Sequence, residues 1–247
     1  MIDLHCHILP GIDDGSASPE ESCLMARMAA DSGVTAIAAT PHCNIPGRVD
    51  NYLSPRLRDS FLAMARLIKE QNLPIRLHTG AEVFATPDLP RLIREKKLLT
   101  LGGSHYLLVE FAFGGSLSFA QETLDAIRKE GLIPIVAHPE RYVFVQEDPS
   151  CLLRWTGQGV GLQLNKGSLL GSFGRRAQRT AHWCLSEGCV HLIGSDAHSP
   201  YHRTPRLSDV WDYVADYIAP EAADFLLQEN PARILQDQPI PAVLDAF

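Results

Sequence analysis

Two histidines one residue apart, His5 and His7, open the chain in MIDLHCHILPGIDDG, and Asp13 and Asp14 follow close behind. On a β-strand the side-chain period of two turns both imidazoles to one face, where a single cation can bind both. GSDAH repeats that geometry with Asp196 and His198, and four more metal-ligating residue types stand in short motifs: His42 in TPH, Glu82 in GAE, Glu110 in VEF and His138 in AHPER. Taken singly, each has an ordinary explanation. A lone strand histidine is usually a hydrogen-bonded structural residue, a glutamate among apolar neighbours usually pairs with Arg or Lys, and aspartates in a GIDDG stretch suit a turn. Asp13 is read as such a turn former and Asp14 as a ligand. Together, five imidazoles (His5, His7, His42, His138, His198) and four carboxylates (Asp14, Glu82, Glu110, Asp196) exceed the roughly four to six ligands of one metal. The set predicts two or three divalent ions sharing hydroxide, and its mixed nitrogen and oxygen donors suit Mn, Fe, Zn or Co better than Ca. A structural zinc would be expected to include thiolates in a closed set of four.

Arginines point to the substrate class. Arg141 stands three residues after His138 and Arg203 seven after Asp196; a guanidinium there can grip phosphate oxygens in a bidentate fork and offset charge that develops during displacement, although either alone is equally well a solvated loop residue. Asn165, Lys166 and Ser168 could add polar contacts. His78 and His191 read as structural, and His105 and His182 do not extend the ligand pattern. His202 is an outer candidate for substrate contact. His42-Cys43 with Arg48 imitates the H-C-x5-R loop of cysteine-dependent tyrosine phosphatases, but the gap here is four residues. One missing residue would collapse the ring of N–H donors that such a loop wraps around phosphate, and Pro46 removes a further donor.

The elements that must position these residues alternate. Ser18-Pro19-Glu20-Glu21 is a capping box with proline at the first helical position, and its helix runs to Gly33. The strand-like runs are IDLHC, VTAIAAT, IRLHTG, YLLVEF, LIPIVA, GLQLN and VHLIGS. Several are apolar on both faces, as in a parallel sheet. Between them the segments 54–71, 86–97, 118–130, 149–158 and 173–187 carry helical spacing or caps. Seven repeated βα units with no linker or composition break predict one α/β domain over residues 1–247, a closed or nearly closed (β/α)7 barrel. From Arg206 onward the chain reads as helices, with NPARIL near 230 as a short capping one. The candidate ligands fall at six of the seven strand ends, and parallel barrel strands deliver those ends to one rim.

Composition sets bounds on partners. At 247 residues, with 45% hydrophobic and 21% charged residues, the chain is globular, and its net charge of −7 argues against nucleic acid. No stretch is long and apolar enough to insert in a membrane and the N-terminus lacks signal-peptide character, so the cytoplasm is expected. The six cysteines include no C-x-x-C pair, which predicts reduced, mostly buried thiols.

HCHILPGIDDG, ATPH, GAE, AHPER and GSDAH, in that order over residues 5 to 203, resemble the polymerase and histidinol phosphatase (PHP) superfamily. Within it, HILPGIDDG and HPER resemble the manganese-dependent protein-tyrosine phosphatases of bacterial capsule and exopolysaccharide operons. The resemblance implies a distorted, TIM-like seven-stranded barrel, a trinuclear centre held by the nine ligands named above, and Arg141 and Arg203 on the phosphate. It implies manganese as the cation, with Fe, Zn, Co or Mg as alternatives, and phosphotyrosine on a bacterial tyrosine autokinase as substrate, hydrolysed by a metal-bridging hydroxide. Two rival expectations are another PHP phosphoesterase acting on a small monoester such as histidinol phosphate, and a catalytically silent metal-binding barrel. The sequence carries no signal for oligomeric state.

Overall fold

The computed structural model describes residues 1–241. Its strands are all parallel where they pair: β1 (Ile2–Cys6), β2 (Ala36–Ala39), β3 (His42–Cys43), β4 (Arg76–Thr79), β5 (Glu82–Phe84), β6 (Tyr106–Glu110), β7 (Ile133–Ala137), β8 (Gly161–Asn165) and β9 (Leu192–Gly194). They form two sheets, ordered β1-β2-β4 and β3-β5-β6-β7-β8-β9. Two of the seven expected strands are each followed by a further short strand just beyond their predicted ends. Pro41, which has no N–H to give a ladder, separates β2 from β3, and Gly80-Ala81 separates β4 from β5. The seven runs therefore become nine strands, and the sheet curls into a distorted (β/α)7 barrel. Its seam closes at the C-terminal end, where Asp196 N donates to His5 O (2.8 Å) and His7 N to Ala197 O (2.9 Å).

The helices follow their caps. Ser18 accepts from Glu21 N at 3.3 Å and Glu21 Oε2 accepts from Ala17 N at 3.0 Å, opening α1 (Pro19–Asp31). Ser54 caps α2 (Pro55–Glu70) through its hydroxyl alone, which accepts from Leu57 N at 3.3 Å. The expected 86–97 helix shrinks to α3 (Leu89–Arg94), because Pro87 and Pro90 hold back the start of the run. Ser116, rather than Ser118, caps α4 (Leu117–Lys129). Two helices of five and four residues, α5 (Val143–Glu147) and α7 (Lys166–Leu169), are too short to leave a periodic signature. The larger α6 (Ser150–Gly157) and α8 (Gly174–Ser186) lie where spacing put them.

Inside the barrel, Leu4, Ala38, Tyr106, Leu108, Ile135, Ala137 and Leu192 pack into an apolar floor. Leu101 and Ile234 complete it, the latter from α11 (Asn230–Leu235), so the NPARIL segment does cap the barrel. The remaining tail helices are α9 (Ser208–Tyr217) and α10 (Pro220–Asp224). A second and larger core lies between strands and helices, around Met25, Met64, Leu107, Val109, Val136, Trp155 and Leu164. Strand residues toward the C-terminal end of the floor are polar, and they form the site.

His191 is structural, as expected. It lies just before β9, 5% exposed, and its Nδ1 accepts from Leu162 N at 3.1 Å. Burial lowers its pKa from 6.5 to about 4. The folded ring stays neutral where the unfolded one takes a proton, so its stability contribution is full above pH 6.5 and is lost as pH falls toward 4, on the order of 3 kcal/mol in all. His191→Gln keeps an acceptor without titrating. Its Tm should fall less than that of the wild type between pH 7 and pH 5; parallel Tm profiles would contradict this assignment.

Candidate metal centre

Nine side chains from distant parts of the chain meet at the closed end of the seam. The ligating atoms form four overlapping groups, each within 4.8 Å: His7, Asp14, His42 and His198; His5, His7 and Asp196; His5, Glu82 and His138; His42, Glu82 and Glu110. Every ligand expected from the sequence falls in at least one group. Glu82 is the hub. Its Oε2 lies 3.3 Å from His5 Nε2, 3.2 Å from His7 Nε2 and 3.0 Å from His42 Nδ1, while Oε1 lies 2.9 Å from His138 Nε2. Asp196 Oδ1 stands 3.5 Å from His5 Nε2 and 3.6 Å from His7 Nε2. Asp14, half exposed, stands 3.4 Å from His42 Nε2 and 3.7 Å from His198 Nε2 at the outer lip.

Local backbone irregularities make this convergence feasible. Strand β1 pairs with β2 through a bulge between Asp3 and Cys6, and the extra residue resets the alternation. Leu4 can then join the floor while His5, its neighbour, reaches the cluster. His138 does the same at the end of β7 by adopting φ 35° directly after the floor residue Ala137. Asp196 (φ 50°) and Arg203 (φ 53°) are also left-handed. Such conformations are uncommon outside glycine and concentrate at functional sites. Gly15 has a different use: a Cβ there would meet His7 O at 2.3 Å, so only glycine lets the loop close over His7.

Hydrogen bonds aim the imidazoles. His7 Nδ1 donates to Asp13 Oδ2 (2.7 Å), His5 Nδ1 to Gln163 Oε1 (2.7 Å) and His198 Nδ1 to Asp196 O (3.1 Å). Each bond assigns the proton to Nδ1 and leaves the Nε2 lone pair facing inward. Asp13 is thus more than a turn former. Its carboxylate also accepts from His42 N (2.8 Å) and Gly15 N (2.9 Å), and contact with His7 helps lower its pKa to about 2 against the opposing effect of burial. Sequence reading missed this because DD before glycine looks the same whichever carboxylate turns inward. Gln163 was missed too; its only signal was a polar residue inside the apolar GLQLN run.

The electrostatics test whether cations fit. Burial disfavours charge on Glu82, but His5, His138 and His42 outweigh it and hold the carboxyl well below its usual range. Burial, then the neighbouring Glu82, pushes Glu110 up to about 8. Within the chain, titratable protons on the cluster share the balancing of this buried negative charge with Arg141 and Arg203 at Asp196, and cations can displace those protons. Glu82 Oε2, Asp196 Oδ1 and His198 Nε2 are buried without hydrogen-bond partners among the described residues, as atoms reserved for ligation would be. The donor set fits divalent metal.

Both arginines reach the rim. Arg141 Nη1 lies 3.5 Å from Asp196 Oδ2, Arg203 Nη2 pairs with the same oxygen, and Asn165 Nδ2 donates to it. Lys166 turns away to Arg206 O and Asp209, and His202 offers its backbone N–H to Ser199 Oγ. Cys43 is buried, which pushes its thiol up to about 12, while Arg48 is exposed. That pair has no thiolate to use at neutral pH.

A parallel α/β barrel with a histidine and carboxylate cluster at the C-terminal ends of its strands defines a class of barrel proteins fit to hold divalent cations at an open mouth. Comparison with known proteins narrows it. The chain belongs to the CpsB/CapC family of capsular polysaccharide synthesis, whose model matches residues 1–236. It is 32% identical to the tyrosine-protein phosphatase YwqE of Bacillus subtilis over 240 residues, covering 97% of this chain and 93% of that protein. Identity to the tyrosine-protein phosphatase CpsB of Streptococcus pneumoniae is 29% over 245 residues, covering 96% and 99%. A solved structure from work on YwqE and CpsB, described there as unique metal-dependent tyrosine phosphatases, matches with a TM-score of 0.89 at 30% identity, covering 98% of this chain and 97% of that one.

Removing the Asp13 carboxylate should misdirect His7. Asp13→Ala is expected to weaken manganese binding by about 10- to 100-fold in a calorimetric titration, with an unchanged circular dichroism spectrum. Undiminished affinity would mean that Asp13 only shapes the turn.

Proposed function

We propose that this protein is a metal-dependent protein-tyrosine phosphatase that hydrolyses phosphotyrosine on a protein of capsule or exopolysaccharide synthesis, with a bacterial tyrosine kinase as the expected partner. The single observation that carries this reading is the convergence of nine ligand-type side chains with two arginines on one mouth. The names of the relatives point the same way. We assign His5, His7, Asp14, His42, Glu82, Glu110, His138, Asp196 and His198 as ligands of two or three cations; these donors suit Mn, Fe, Zn or Co, and we assign manganese on the resemblance to manganese-dependent phosphatases. The whole chain acts as one domain in this reading. A reducing compartment such as the cytoplasm accords with six free cysteines, five of them buried, and no helix among the described residues is long and apolar enough to cross a membrane.

Divalent cations bound there would activate water at neutral pH and offset phosphate charge. The chain's own groups do the rest. Arg141 and Arg203 hold the non-bridging phosphate oxygens and set the phosphorus in line with attack. Water oxygen bonds to phosphorus as the P–O bond to the aryl group breaks; the electron pair leaves on the phenol oxygen, the water's proton passes to solvent, and the released tyrosinate is protonated from solvent. A tyrosinate leaving group, with a pKa of about 10, departs without a strong general acid, and none is needed from the rim. The arginines neutralise the charge that accumulates on the equatorial oxygens.

Chelation with EDTA, or His138→Ala, should reduce hydrolysis of a phosphotyrosyl peptide by about 100-fold or more, with manganese restoring the chelated wild type only. Cys43→Ser should retain activity within about twofold. The reverse pattern would reject metal catalysis, and a preference for histidinol phosphate over the peptide would reject the protein substrate.

A further inference from the structure

An aromatic clamp stands over the phosphate end of the mouth. Phe113 lies in the loop between β6 and α4, and Phe173 immediately precedes α8. The Arg141 guanidinium sits between them, its central carbon 4.4 Å from the Phe113 ring centre and 4.2 Å from that of Phe173; Arg203 lies over Phe173 as well, at 5.6 Å. Contact with both rings holds the guanidinium at the mouth, where its Nη1 lies 3.5 Å from Asp196 Oδ2 and its remaining N–H groups can meet phosphate oxygens. The two rings differ in exposure. Phe173 is partly buried, whereas Phe113 is 42% exposed.

A single exposed phenyl is ordinary on a protein surface. This one is held in position. The carbonyl of Phe113 accepts from Val143 N at 2.9 Å, which ties its loop to the segment just after Arg141. Its ring centre lies 5.9 Å from that of His138 and 6.1 Å from that of Tyr142, so one side is braced against the cluster wall. The remaining surface is apolar and borders the mouth. A phosphate held by Arg141 places its ester substituent beside this ring: an aryl group can stack there, and a short alkyl chain has far less surface to offer.

Resting on the phosphatase reading above, we propose that Phe113 is a specificity-determining residue which selects aryl over alkyl phosphate esters by stacking on the substrate ring, while Phe173 is a positioning residue that acts through Arg141. The two roles separate in their ligand dependence. Loss of the Phe113 ring removes the contact to the aryl group as well as one side of the Arg141 clamp, so aryl ligands lose more than alkyl ones. Loss of the Phe173 ring loosens the guanidinium and weakens every phosphate-like ligand.

Phenylphosphonate and methylphosphonate, which share a head group and resist hydrolysis, serve as competitive inhibitors of phosphotyrosyl peptide turnover by the manganese-loaded enzyme. The wild type should bind phenylphosphonate about tenfold more tightly than methylphosphonate. Phe113→Leu should bring the two within about twofold by weakening phenylphosphonate more than methylphosphonate, and Phe173→Leu should weaken both alike. An unchanged preference in Phe113→Leu, or an equal loss of both inhibitors, overturns the assignment of Phe113. Failure of the wild type to turn over the peptide in manganese would reject the phosphatase reading itself and the inference with it, a result distinct from turnover with an unaltered preference.

Discussion

Buried negative charge governs the structure. Glu82, Asp196 and Glu110 share the barrel mouth, and Glu82 and Asp196 are each 1% exposed. Removing several carboxylates from water at close range is costly unless positive charge accompanies them. Five imidazoles and two guanidiniums are gathered around them, and the shifts at Glu82 and Glu110 run in opposite directions because the positive groups cluster around the first. Divalent cations satisfy the same constraint more completely, and they turn an electrostatic burden into a reagent for phosphate chemistry.

The barrel answers that constraint by layering. Its apolar floor excludes water from below, and the polar layer begins one or two residues further along β1, β6 and β7. A strand's strict alternation would not let Leu4 and His5, or Ala137 and His138, both face the interior. A bulge in the first pair and a left-handed residue in the second reset the phase. Positive φ at Asp196 and Arg203 belongs to the same pattern, since both also aim side chains at the mouth. Of the eight non-glycine residues with positive φ among the described residues, His138, Asp196 and Arg203 stand at the mouth.

Outside the ligands, positioning is done by short polar bonds and aromatic faces. Asp13, Gln163 and the Asp196 carbonyl each take the Nδ1 proton of one histidine, and Phe113 and Phe173 hold Arg141. Rigid side chains limit the reorganisation required when substrate arrives. Asp3 extends the network through the seam: its Oδ1 accepts from His5 N at 3.2 Å and Ser195 N at 3.1 Å, joining first and last strands beneath the site.

The sequence by itself determined the repeated βα pattern, the parallel barrel and the nine ligand-type side chains that converge at its mouth, because side-chain periodicity, caps and metal-ligating residue types are local properties. His5-x-His7 and Asp196-x-His198 were legible for that reason. Tertiary structure alone decided which aspartate of Asp13-Asp14 turns inward, that Gln163 orients His5, that short strands beyond Pro41 and Gly80 join the second sheet, and that Phe113 and Phe173 flank Arg141. Those outcomes depend on contacts between segments as much as 158 residues apart. Spacing along the chain holds no record of such contacts until the barrel closes and brings the segments together.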